Sequence, residues 1–201
     1  MTQKPDLVPM ESIIRSLTVA LGERDHHTRI HSERVVLLSA ELGRHLALSA
    51  HELEVLSLGA QFHDLGKIGI PDRILRKATP FDDAEWECMK QHAAIGERIV
   101  LAIGDDRSPA VARVVRHHHE NFDGSGYPDG LGGTAIPLLS RIIMLTDNYD
   151  AMAVTRPYHK ARNHRAVMDI LADENGKKFD PDLLRAFSVV IEKSDMRATD
   201  D

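Results

Sequence analysis

The sequence predicts an all-α fold, and three observations carry that expectation. Apolar residues recur at helical spacing through successive segments. No stretch shows the convincing apolar–polar alternation of a half-buried strand. Helix-start signals punctuate the chain: Ser49 with Glu52, Asp82 or Asp83, Ser108–Pro109, Pro137, Asn163 and Asp180–Pro181.

Taken in order, Leu7 to Leu21 reads as a helix that stops at Gly22. A second helix is predicted from Thr28 to Leu46, with His31, Val35, Leu38 and Leu42 on one face. The third opens at Ser49 and turns Leu53, Leu56, Ala60 and His63 inward. The next aligns Met89, His92, Gly96 and Ile99; the one after Pro109 aligns Val111, Val115 and His118 or His119. NFDGSGYPDGLGG follows, rich in turn formers and too polar for a core. Pro137 then starts a helix carrying Leu139, Ile143, Asp147 and Asp150 on one side, and two further helices flank Gly176. The polar segment 192–201 is expected to fray.

Composition narrows the function classes. The 201 residues suit one domain, and a single cysteine, Cys88, allows no intrachain disulfide. No apolar run approaches the roughly 20 residues that span a bilayer, and MTQKPDLVPMES does not read as a signal peptide. A soluble cytoplasmic protein with no membrane partner is expected. The net charge of −6, without a lysine and arginine block, argues against duplex nucleic acid. Twelve histidines stand against nine phenylalanines, tryptophans and tyrosines, so something other than packing uses imidazole.

His31, His63, Asp64, His92, His118, His119 and Asp147 fall on helix faces expected to point inward. Buried groups of this kind are costly unless paired or coordinated. An imidazole and carboxylate set excludes a cysteine-rich zinc site and suits iron or manganese, with zinc or nickel also accommodated. Seven groups exceed what one ion with an open position uses. Two ions sharing a carboxylate and a water fit better, the usual device for phosphoester hydrolysis.

FHDLGKIGIPD, Phe62 to Asp72, resembles the signature of HD-domain phosphohydrolases, and HHENFDGSGYP, His118 to Pro128, resembles the motif that names the HD-GYP branch. RDHHTRIHSERV, MKQHAAIG, RIIMLTDNYDAM and RPYHKA are similar to that family in the same order, over roughly Arg24 to Phe187. The resemblance implies a bundle spanning 23–191 that acts as a metal-dependent phosphodiesterase in bacterial signalling. Its substrate would be a cyclic dinucleotide, cyclic di-GMP first, cleaved to pGpG and then GMP. It also implies that the seven histidines and aspartates above are metal ligands, with Asp64 bridging.

Lys67 would reach a phosphate oxygen, Gly126 and Tyr127 would meet the nucleotide, and Arg156, Asp150 and Asp25 are further nucleotide candidates. His26, His45, His51, His117 and His164 are expected to lie outside the ligand set, mostly exposed or behind it. Two positions depart from the family. His27 stands where some members carry a glutamate that helps hold a third metal, and His159 stands where arginine or lysine is common. A non-catalytic receptor would have lost a ligand or Lys67, and both are present. Regulation is assigned to residues 1–22, to a homodimer or to a separate protein.

Overall fold

The computed structural model describes residues 26–154 and 161–200, together with Ser12, Ile13, Ser16, Leu17, Val19 and Gly22; for 26–29 it describes the backbone alone. The helix expected over Leu7 to Leu21, and Asp25, Arg156 and His159, lie largely or wholly outside the described residues, as does the side chain of His27.

Eight α-helices are described: α1 (His26–His45), α2 (Ala50–Phe62), α3 (Asp72–Leu75), α4 (Asp83–Ile103), α5 (Ser108–Arg116), α6 (Leu138–Ala153), α7 (His164–Asp173) and α8 (Pro181–Ile191). Short 3-10 turns cover Leu65–Gly69 and Gly133–Ala135. Among the described residues the β-structure is one isolated bridge, Asn175 to Phe179. No described helix is long and apolar enough to cross a membrane. The all-α expectation holds.

Local chemistry explains where the helices begin. Ser49 accepts from the Glu52 amide while the Glu52 carboxylate returns to the Ser49 amide, and Asp82 and Glu85 repeat the arrangement for α4. Asn163 and Asp180 accept from the first-turn amides of α7 and α8. Gly104, at φ 74°, ends α4 in the left-handed conformation that costs glycine nothing. Helix α1 starts two residues before the expected Thr28 and ends one before Leu46, within the usual scatter of helix ends.

The core follows the predicted faces. Val35, Leu38 and Leu42 of α1 meet Leu56 and Ala60 of α2, Val111 and Val115 of α5, and Ile142 and Ile143 of α6, all buried in one cluster. Helix α1 packs between α2 and α6, and α5 lies against α2 and α4. Because His31, His63, His92, His118 and Asp147 continue these apolar stripes, burying the stripes gathers them at one end of the bundle.

Part of the C-terminal segment packs on the bundle. Ala198 is buried, its amide donates to Tyr149 Oη at 2.9 Å, and Thr199 O accepts from the His164 amide at 2.9 Å. Its backbone groups find partners inside the bundle, which composition alone does not reveal.

Candidate metal centre and cleft

Glycine lets two backbones meet at the centre. A Cβ on Gly66 would lie 1.8 Å from the His92 carbonyl oxygen, so only glycine allows the turn after Asp64 to rest on α4. That approach brings Asp64 between two groups of histidines. Its Oδ2 lies 3.5 Å from His63 Nε2, and its Oδ1 lies 3.8 Å from His92 Nε2. On one side His31, His63 and Asp64 offer atoms within 4.8 Å of one another; on the other, His92, His118 and His119 do the same. Asp147 closes the first group, with Oδ1 2.8 Å from His31 Nε2 and 3.9 Å from His63 Nε2.

Backbone carbonyls orient three of the rings. His63 Nδ1 donates to Ala60 O at 2.6 Å, His92 Nδ1 to Met89 O at 2.8 Å and His118 Nδ1 to Val115 O at 2.6 Å. A carbonyl only accepts, so the proton sits on Nδ1 and each neutral ring keeps its lone pair on Nε2. His31 is oriented differently, by Asp150 Oδ2 at 2.7 Å from its Nδ1, and Arg34 Nε donates to the other Asp150 oxygen.

Electrostatics favour the metal-binding forms. Burial pushes the imidazoles of His92 and His118 below their ordinary value and takes His119 down to about 3, with neighbouring histidines adding to the effect on His118 and His119. Burial opposes charge on Asp64, yet Lys67 and His63 outweigh it and hold the carboxyl well below the usual range. Asp147 follows the same pattern, with burial overcome by the hydrogen bond from His31. The result is neutral His92, His118 and His119 rings beside the ionised carboxylates of Asp64 and Asp147.

One atom tests whether a metal fits. His63 Nε2 is buried without a hydrogen-bond partner, an arrangement that costs about 1–3 kcal/mol if nothing occupies the space before it. A cation there would accept that lone pair. The donor set, imidazole and carboxylate with no thiolate, suits a divalent transition metal.

Beside the centre lies a cleft of about 350 Å³ lined by His119, Asp147, Gly126, Tyr127, Trp86 and Lys178, among others. Gly126 is again required, since a Cβ there would meet Asn121 N at 2.2 Å. The Tyr127 ring lies 4.9 Å from that of His119 and 6.0 Å, edge-on, from Trp86, while Trp86 stacks on Phe81 at 6.3 Å. Lys178 Nζ donates to Asn148 Oδ1 at 2.8 Å.

Asp150 does not face the cleft: it is fully buried behind His31. Lys67 sits on Asp64, Nζ donating to Oδ2 at 2.6 Å. His117 and His164 are buried; His164 lies between Tyr149 and Glu192. His45 and His51 are exposed, as expected. Lys178, Trp86 and Lys90 were not singled out as site residues. Lys178 stands in the turn between α7 and α8, and nothing local marks it as facing a cleft built by α4 and α6.

The HD domain family model matches residues 12–183. The chain belongs to the HD-domain family. This HD domain is 37% identical, over 82% of its length and 44% of the relative's, to the cyclic di-GMP phosphodiesterase response regulator RpfG of Xanthomonas campestris. It is 33% identical to 3′3′-cGAMP-specific phosphodiesterase 3 of Vibrio cholerae, covering 88% of the chain and 38% of that protein. The chain thus spans less than half of either relative. A crystal structure of a cyclic GMP-AMP-specific phosphodiesterase of V. cholerae superposes with TM-score 0.71 at 20% identity, over 92% of this HD domain and 49% of that chain. At that identity the likeness is one of fold.

Proposed function

We propose that this HD domain is a phosphodiesterase that hydrolyses a cyclic dinucleotide, cyclic di-GMP before its mixed purine analogue, to the linear dinucleotide. The observation that carries the reading is one continuous cleft in which His119 and Asp147 of the centre meet Lys178, Tyr127 and Trp86. RpfG, named for cyclic di-GMP, and the HD-GYP motifs of this chain favour that substrate.

His31, His63, Asp64, His92, His118, His119 and Asp147 would hold two divalent transition-metal ions, iron or manganese before zinc or nickel. Such ions supply Lewis acidity and an activated water. The protein's own groups do the rest. The Asp64 oxygens, one toward each histidine group, tie the two halves together. Lys67 neutralises Asp64 and is assigned to a phosphoryl oxygen, and Lys178 supplies a second cation to the phosphates. The half-exposed Trp86 and Tyr127 offer faces on which a purine stacks, worth about 1–3 kcal/mol per base. Arg156 is assigned to phosphate or base. One water adds across a P–O3′ bond, leaving a 5′-phosphate and a free 3′-hydroxyl; a second addition to pGpG would give GMP.

The test is chromatography of products after manganese- or iron-loaded protein meets cyclic di-GMP, 3′3′-cGAMP or cyclic di-AMP in separate reactions. Linear pGpG formed fastest from cyclic di-GMP is the expected result. Tight binding without any linear product would make the chain a receptor instead.

A further inference from the structure

Behind the cleft, at the root of the glycine-rich loop, stands a second cluster that the proposed function does not use. His117, Glu120 and Asp129 offer ligating atoms within 4.8 Å of one another. Glu120 is buried, and its carboxylate joins the two limbs of the loop, accepting from the Asp129 amide at 2.7 Å and the Leu131 amide at 3.1 Å. His117 is 8% exposed, and its Nδ1 is buried with no hydrogen-bond partner. That nitrogen lies 3.6 Å from Glu120 Oε1 and 3.5 Å from Asp129 Oδ2.

These separations decide the reading. A hydrogen bond from nitrogen to oxygen spans about 2.7–3.2 Å, so neither contact is one. Ligands about 2.1 Å from a tetrahedral zinc lie about 3.4 Å from each other, close to both values. The local charge is suitable as well. Arg116 donates to Asp129 at 2.6 and 2.8 Å and to Glu97 at 2.6 Å. Three carboxylates against one guanidinium leave a net negative charge for a cation to meet.

We propose that His117, Glu120 and Asp129 form a further divalent-cation site, of zinc type, that clamps the root of the loop presenting Gly126 and Tyr127. Asp129, with its side chain 35% exposed, is the face through which the ion enters and a water completes the shell. The clamp is structural: it holds the returning limb of the loop against the end of α5.

Zinc alone is the probe. The full chain, dialysed against excess Zn²⁺, is compared by elemental analysis with His117→Gln and Asp129→Asn chains whose folding is checked by circular dichroism. Each variant is expected to hold one zinc fewer than the parent, or to bind that equivalent at least tenfold more weakly. Should His117→Gln fail to fold, the change at the rim, Asp129→Asn, carries the comparison. In a chain already carrying Asp64→Ala, Asp129→Asn should still remove one equivalent, which separates the clamp from the main centre. Equal zinc content and equal zinc affinity in the parent and Asp129→Asn chains overturn the proposal.

Discussion

His31 Nδ1 and Asp150 Oδ2 lie 2.7 Å apart in the buried part of the bundle, so an aspartate one helical turn beyond Asp147 orients the imidazole and does not line the cleft. Carboxylates in this position fix ring orientation and raise ligand basicity. Asp150→Asn should therefore weaken metal binding about 10–100-fold, with excess metal restoring turnover. Metal titration of activity measures both. An unchanged metal requirement with a raised KM for the dinucleotide would return Asp150 to the nucleotide.

The metal-free protein should lose stability as pH falls below about 6.5. Burial lowers the folded-state pKa of His92, His118 and His119, the last to about 3, so the unfolded chain binds more protons in this range. For His119 stability then rises with pH between about 3 and 6.5, by about 1 kcal/mol per pH unit, and His92 and His118 add slopes of the same sign below about 6.5. For a chain of this size the His119 slope is a fall of about 2–4 °C in Tm per pH unit. Thermal melts of chelated protein from pH 7 to pH 5 test the sign, and a melting temperature that rose on acidification would refute it.

Lys178→Ala should raise KM about tenfold and leave kcat within a factor of about two. Its ammonium lies on the cleft wall and donates to Asn148 Oδ1. A tenfold loss corresponds to about 1.4 kcal/mol of binding common to the substrate and transition state. If kcat fell while KM stayed constant, Lys178 would belong with the reacting phosphate.

Gly66→Ala should lower stability by about 3 kcal/mol or more, because the added methyl meets the backbone of His92 at 1.8 Å and not a side chain that can swing aside. Denaturant unfolding would report it as a lower midpoint. Metal content should fall with it, since Asp64 and His92 are drawn together through this contact.

How much of this was legible in the sequence depends on how local each cause is. Ser49 with Glu52 and Asp82 with Glu85 act within four residues, so helix starts could be read directly. The inward faces of α1, α2, α4, α5 and α6 were equally plain from periodicity, and they brought the histidine groups together. Asp150 is harder to read, because depth is not a property of one helix: Asp147 and Asp150 share a face, and Asp150 is the one that pairs with Arg34 of α1. Lys178 reaches Asn148 across thirty residues, and His164 meets Glu192 across twenty-eight. Neither pairing leaves a periodic trace.

Ala60, Met89 and Val115 each hold an Nδ1 proton in place, and burial keeps the rings of His92 and His118 from taking a second one. The folded chain has thus already performed the deprotonation that an arriving cation ordinarily has to force. Loading near neutral pH should release few protons from these nitrogens, so acidification of the medium barely competes until the bundle itself opens. With that barrier removed for every borderline metal alike, the choice among them passes from the protein to whichever ion its surroundings supply most freely.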